Sequence, residues 1–423
     1  MLDIVPIPIT ETMIKHSDIL ENEYALYVAG TTYGDGDHCI YAHKIYESRQ
    51  AANTGNTPSS SPTWWEDLGY DNRWQVFDLS VQSQSDQATS MTWVLRPGST
   101  VDSAAILNID ADSVRIRVAN AALELCSYGT AWTGASGSTP PTGWNATSFP
   151  ATDYAIDSGW LKITGSGTQQ HTGVWYGRGS LTPGDTLQLV FKYKNSVGSS
   201  RAEYRIFDDS NSADIVAITE LTMSTAEATF SYTFTVPAGC TTIKFYLLAK
   251  LTSDIVWFDD FSLLKIQYDS GVVSMTSATD YVTTALTSYA NPQITVIVAK
   301  STTAYCGEII IGAAFSLGTS LQNPKIGIDD YSIVETDEYG NFTITERAYA
   351  KKLTGESYFL NTSLDSIAAH ITANRATPVV YIYNPSTLSY SCMIIYGFPK
   401  TWEIAPHNMR DYSLLSIEFR GLT

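Results

Sequence analysis

Thr186–Asn195 reads "TLQLVFKYKN", and four runs of the same texture follow it: "AEYRIFDD" at 202–209, "TFSYTFTVP" at 229–237, "TIKFYLLAK" at 242–250 and "DIVWFDDFSLLKI" at 254–266. Each is short and rich in residues that pack well on a pleated surface. The gaps hold Gly, Pro, Asn, Asp and Ser. A strand roughly every 8–15 residues with turn chemistry between is the spacing of a β-sandwich. Residues 143–266 are therefore expected to form one sandwich domain.

The same texture extends outward in both directions. "SVRIRVAN" at 113–120 alternates apolar and polar positions, as a half-buried strand should. Thr, Ser, Val, Ile and Tyr dominate, aromatics reach 12 % with Tyr alone at 26, and charged residues are only 16 %. The expected class is all-β, built as several antiparallel sandwiches, since 423 residues exceed one ordinary core. One α-helix is expected near 363–375 in "NTSLDSIAAHITANRATP". Thr362 and Asp365 there have capping-box spacing, Leu364, Ile367, Ala368 and Ile371 share a face, and Pro378 follows the end.

Composition divides the rest. Residues 1–22, with Pro6 and Pro8, read as an extended N-terminal arm that packs on a neighbour or forms an edge strand. Residues 23–75 read as a small β unit with a hairpin turn at Gly34–Asp37, closed by the double tryptophan of "TGNTPSSSPTWWEDLG" at 54–69. Residues 76–128 resume the strand pattern, 128–142 have linker composition, and strands continue from 269 to 423.

The formal charge of −18 repels phosphate, so neither nucleic acid nor an anionic membrane is an expected partner. No run approaches the ~18 apolar residues of a membrane span, so no membrane insertion is expected. The first 21 residues carry neither a basic n-region nor an apolar h-region. The five cysteines are widely separated and contain no CxxC pair, as expected of thiols in a reducing cytoplasm.

Three resemblances follow. "GWNATSF", "LTPGDTLQLVFKYK", "FTVPAGCTTIKFYL" and "VWFDDFSLLKI" resemble the jelly-roll carbohydrate-binding modules appended to xylanases. This implies that 143–266 is an inserted jelly roll. Tyr27, Gly30, Tyr33, Tyr46, Pro58, Trp64 and Trp65 look like the pattern of small chitin-binding modules. "NRWQVFD", "VDSAAILNIDADSVRIRV", "IGIDDYSIVETDEYGNFTITERAYAKKL", "IIYGFPKTWEI" and "LLSIEFRGLT" resemble structural proteins of tailed bacteriophages. The last resemblance implies one discontinuous phage domain, 76–128 plus 269–423. It implies a distal-tail (tail-tip or baseplate) subunit, assembled in the host cytoplasm, with other tail proteins and copies of itself as partners. Together the three imply contact with host surface glycans. The alternatives are a secreted or surface carbohydrate-binding protein and, further off, a polysaccharide-degrading tail enzyme.

The candidate sugar contacts are aromatic. An exposed Trp stacks on the C–H face of a sugar ring, whereas a buried one fills a core, and both readings stand for each residue. In the small unit the candidates are Trp64 and Trp65; in the insertion they are Trp160, Trp175, Tyr176 and Tyr204, with His171, Arg178 and Gln170 as polar neighbours. Asp259 and Asp260 are adjacent in the final sandwich strand, where the family resemblance implies a structural Ca²⁺ and the ordinary reading is a hydrogen-bonded carboxylate. "DGDHCIYAHK" gathers Asp35, Asp37, His38, Cys39 and His43, but His38 and His43 at this spacing in one strand face opposite ways, so no metal centre is expected there. GxSxG, HExxH and P-loop patterns are absent, and no catalytic residue is assigned.

Overall fold

The computed structural model describes residues 1–147, 153–165, 170–196, 200–275, 279–322, 324–336, 338–384, 390–406 and 411–422. Ser148 and Phe149, the end of the "GWNATSF" stretch, lie outside them. The chain is all-β, and every ladder between its strands is antiparallel. The spine is the 25-residue strand Pro292–Ser316. It pairs with Ser85–Leu95, Ser103–Asp110 and Ser113–Asn120. Alternation decides its faces: Ile294, Val296 and Val298 enter a core with Met91, Trp93 and Ile116. Strands on either side of 143–266 in the sequence thus share one sheet.

The first 22 residues differ from expectation. Leu2–Pro6 is an interior strand, flanked by Pro292–Ser316 and Val379–Ile382. Ile4 is fully buried, and Gly312 lets the new strand approach, since a Cβ there would lie 1.9 Å from the Val5 carbonyl oxygen. Ile14–Ser17 pairs with Ser85–Leu95. The two prolines did mark an extended path. Apolar Leu2, Ile4 and Val5 gave that path a sheet to join.

At the C-terminal end, Tyr349–Leu360, Tyr412–Gly421 and Ile394–Ala405 lie side by side in that order. The helix Leu364–Ala373 lays Ile367 and Ile371 into its core beside Leu353 and Phe419. The expected Thr362 cap does not form, because Asn361–Ser363 is a 3-10 turn and Ser363 occupies the cap position without a side-chain bond.

Thr186–Asn195 sits between Ala228–Thr235 and Ile255–Asp269 in one sheet of the sandwich. The facing sheet runs Asn145–Ala146, Thr172–Arg178, Ile243–Ala249, Ala202–Asp208, Ala213–Glu220. Phe191, Phe245, Phe258 and Phe261 fill the space between, each contributing on the order of 2–3 kcal/mol by burial. The stretch 128–142 is not a loose linker: its Trp132 is buried in this core against Trp144 of the sandwich, with ring centroids 5.3 Å apart. Small turn residues around Trp132 masked that anchor. The strand Ile255–Asp269 continues out of the sandwich and pairs with Ser113–Asn120. A polar seam joins the two cores, in which Gln293 Nε2 and Thr295 Oγ1 both donate to Gln188 Oε1 at 3.0 Å.

In the small unit, Gly34–Asp37 turns but does not join paired strands. Thr32–Tyr33 pairs with Asn53–Thr54, and His38–Tyr41 pairs with Lys44–Ser48. The true hairpin turn is Ala42-His43, both at positive φ (49° and 66°). A turn of this hand is usually signalled by Asn or Gly, and neither is present here.

Candidate functional site

The period of two in a strand sorts the sandwich candidates. Trp175 and Tyr176 are neighbours in Thr172–Arg178 and face opposite ways. Tyr176 is buried and donates its hydroxyl to the Leu125 carbonyl at 3.2 Å. Tyr204 is likewise buried, packed on Phe230 with centroids 4.5 Å apart. Of the two readings open for each, the core one holds for both, because each side chain lies on the inward face of its strand, between the two sheets.

Trp175 stays on the outer face. Its Nε1 donates to the Ala146 carbonyl at 3.0 Å, and its ring extends over Gly177, where an added Cβ would meet Cζ3 at 3.3 Å. Register places Tyr246 beside Trp175 and Arg205 beside Tyr246. Lys244 and Phe207 form the next row. The Arg205 guanidinium stacks on Phe207 at 4.4 Å and Tyr246 at 5.4 Å, and Lys244 Nζ lies 4.8 Å from the Trp175 ring. Arg205 is fixed by Asp214 at 2.5 Å and Lys244 by Asp209 at 2.6 Å. At the far end, His171 Nδ1 and Glu203 Oε2 are 2.6 Å apart. Three aromatic rings on three adjacent strands thus lie among carboxylates and N–H donors held in place. Chemically, this surface can stack apolar ring faces and bond hydroxyls at once.

Trp160 lies on the outer face of the opposite sheet. There it shares a patch with Trp257 and Lys194, whose Nζ is 4.6 Å from the Trp160 ring and 5.6 Å from that of Trp257. Trp257 Nε1 donates to Asp157 Oδ2 at 3.0 Å. Asp260 sits at positive φ, where the register shifts, and pairs with Lys192 at 3.4 Å; burial raises the Asp259 pKa.

In the small unit, Trp65 is 2 % exposed and donates Nε1 to the Asn56 carbonyl at 2.8 Å. Tyr33 and Tyr27 meet its ring at 5.0 and 6.0 Å. Trp64 is half-buried against the same cluster.

Sequence reasoning did not name Phe207, Tyr246, Arg205, Lys244 or Trp257. The signal for the first four was present, since they occupy the alternate positions to buried Tyr204, Ile206 and Phe245. It also missed a cluster spread over three segments. Glu21, His43 and Asp71 each offer a ligand atom, all within 4.8 Å of one another. Asp71 is wholly buried, and desolvation, with the neighbouring Glu21 carboxylate, pushes its pKa up to about 8.

No family model and no curated protein matches the chain. Among solved structures, the CBM22-1 xylan-binding domain from Paenibacillus barcinonensis Xyn10C is similar over 33 % of this chain and 99 % of that one, at 14 % identity and a TM-score of 0.25. A CBM4 structure is similar over 31 % of this chain and 88 % of that one, at 16 % identity and a TM-score of 0.25. The enzymatically active domain of bacteriophage CBA120 tailspike protein 4 is similar over 30 % of this chain and 20 % of that one, at 14 % identity and a TM-score of 0.24.

Proposed function

We propose that the chain is a structural subunit of a tailed-phage virion, sited at the distal tail, which presents the Trp175–Tyr246–Phe207 face of its sandwich to host surface glycans. It acts by binding, not by bond cleavage. The observation that carries the glycan reading is that face: aromatic rings on adjacent strands, flanked by Asp209, Asp214, Arg205 and His171. Single module–sugar contacts are weak, and repetition of the face over many copies raises the effective affinity by orders of magnitude.

Assembly into copies is supported by a second surface. Ile333–Thr336 and Phe342–Thr345 form a two-stranded hairpin that pairs with nothing else among the described residues. Register puts Val334, Ile344 and Phe342 on one face, exposed by 58, 69 and 70 %. A lone hairpin is marginal in water. Ile326, Ile328, Tyr331, Tyr339 and Tyr349, in and around the same segment, are exposed apolar side chains as well, and a concentration of this kind is what a partner surface covers. The proposed occupant is a second copy of the same surface, in a symmetric homo-oligomer.

The test has two arms. A glycan array probed with the full chain, with Trp175→Ala and with Tyr246→Ala should show binding that both variants lose while melting normally. Equal binding by all three would reject the face. Antibody to the chain should decorate the distal tail of virions in electron micrographs; decoration elsewhere, or none, would reject the location.

A further inference from the structure

Three segments converge beside the small unit. Glu21 comes from the chain that follows Ile14–Ser17. His43 is the tip of the Ala42-His43 turn. Asp71 follows the strand Trp65–Tyr70. Backbone and ring contacts hold them together. Asp71 N–H donates to the His43 carbonyl at 3.0 Å. The His43 ring stacks on Trp74 with centroids 4.1 Å apart. Asp71 Oδ1 accepts the Arg73 and Trp74 N–H groups at 2.9 and 3.3 Å.

That leaves Asp71 Oδ2. The side chain is fully buried, no described group donates a geometrically good hydrogen bond to this oxygen, and the Asp71 carboxyl lies against that of Glu21. It faces a site whose other walls are acceptors as well: Glu21 Oε1 is 2.6 Å from His43 Nδ1. Glu11 Oε2 lies 4.0 Å from His43 Nε2. Glu23 stands nearby, held by the Asn72 N–H at 2.9 Å. The cation recorded at these carboxylates among the described residues is Arg73, whose Nη1 is 3.8 Å from Glu11. Buried oxygens normally find a donor or a cation.

We propose that Glu21, His43 and Asp71 form a binding site for one divalent first-row transition cation. One imidazole and two carboxylates are the mixed N/O donor set such ions take. Ligand atoms on one ion stand ~3–4 Å apart, so closing from 4.8 Å needs only small side-chain rotations. Glu11 at Nε2 supplies the outer carboxylate that orients a ligating histidine. The donors come from three segments, so the ion would tie the small unit to the N-terminal strands.

The experiment uses the full chain stripped with chelator, with Zn²⁺ as probe and Ca²⁺ as control. Calorimetry should find one Zn²⁺ site, absent for Ca²⁺, and Zn²⁺ should raise the melting temperature of the small unit. Asp71→Asn keeps the Oδ1 acceptor and His43→Gln keeps the ring's approximate length; each should lose Zn²⁺ binding at least tenfold while circular dichroism stays native. Glu11→Gln should weaken binding about tenfold. Failure of the full chain to bind Zn²⁺, or binding that Asp71→Asn and His43→Gln leave unchanged, would overturn the site.

Discussion

Replacing Glu308 by Gln should make the protein more stable, and increasingly so as pH rises. Glu308 lies in the middle of Pro292–Ser316, opposite Leu107. It is 1 % exposed, and its Oε1 has no hydrogen-bond partner among the described residues. Burial, reinforced by the Asp78 charge, raises its pKa from 4.5 to about 10. The groups around it do not help it ionise: the Cys306 thiol and the Tyr396 hydroxyl are both pushed up by burial and by Glu308 itself. The native state therefore holds this proton at pH 7, and the unfolded chain releases it. With fewer protons bound in the unfolded state, stability falls as pH rises from the unfolded pKa toward the folded one. The slope is about 1.4 kcal/mol per pH unit, which accumulates to about 3 kcal/mol at pH 7. Gln carries no such proton. Urea denaturation of both proteins at intervals from pH 5 to 8 should give a stability difference that widens at that slope. A difference that stays constant across the range would refute the reasoning.

Other consequences follow from the same geometry. Trp65→Ala should cost about 3–5 kcal/mol and open residues 24–70 locally, seen as lost amide-exchange protection there, with the sandwich amides unaffected. Uniform protection in that variant would contradict the core role of Trp65. Removing residues 1–6 takes away an interior strand, so the deletion should abolish the cooperative melting of the C-terminal sheet; a native melt would mean that strand is dispensable. Phe342→Ser with Ile344→Ser should convert the assembled species to monomer in sedimentation velocity without lowering the melting temperature, whereas an unchanged sedimentation coefficient would remove the hairpin from the interface.

Local pattern was readable where one element decides its own environment. "SVRIRVAN" alternates in the structure as it does on paper, and Leu364, Ile367 and Ile371 form the inward face of the helix. Reading failed where a partner distant in sequence decides. Leu2–Pro6 looks like an arm until Val379–Ile382, nearly four hundred residues on, supplies its other edge. The Ala42-His43 turn carries none of the usual residues because the strands it joins impose its hand. The same non-locality hid the Glu21–His43–Asp71 cluster. Of the aromatic candidates, Trp175 and Tyr176 could not both lie outside, since neighbours in one strand face opposite ways, and that rule already separates them.

The glycan-binding face is the central claim, and fluorine NMR on protein carrying 5-fluorotryptophan tests it most directly. The chain has ten tryptophans, and single Trp→Phe variants assign their resonances. Titration with the glycan selected on the array should shift the Trp175 resonance and leave those of Trp64, Trp160 and Trp257 in place. Shifts confined to Trp64, or to Trp160 and Trp257, or no shift at all at saturating glycan, would contradict it.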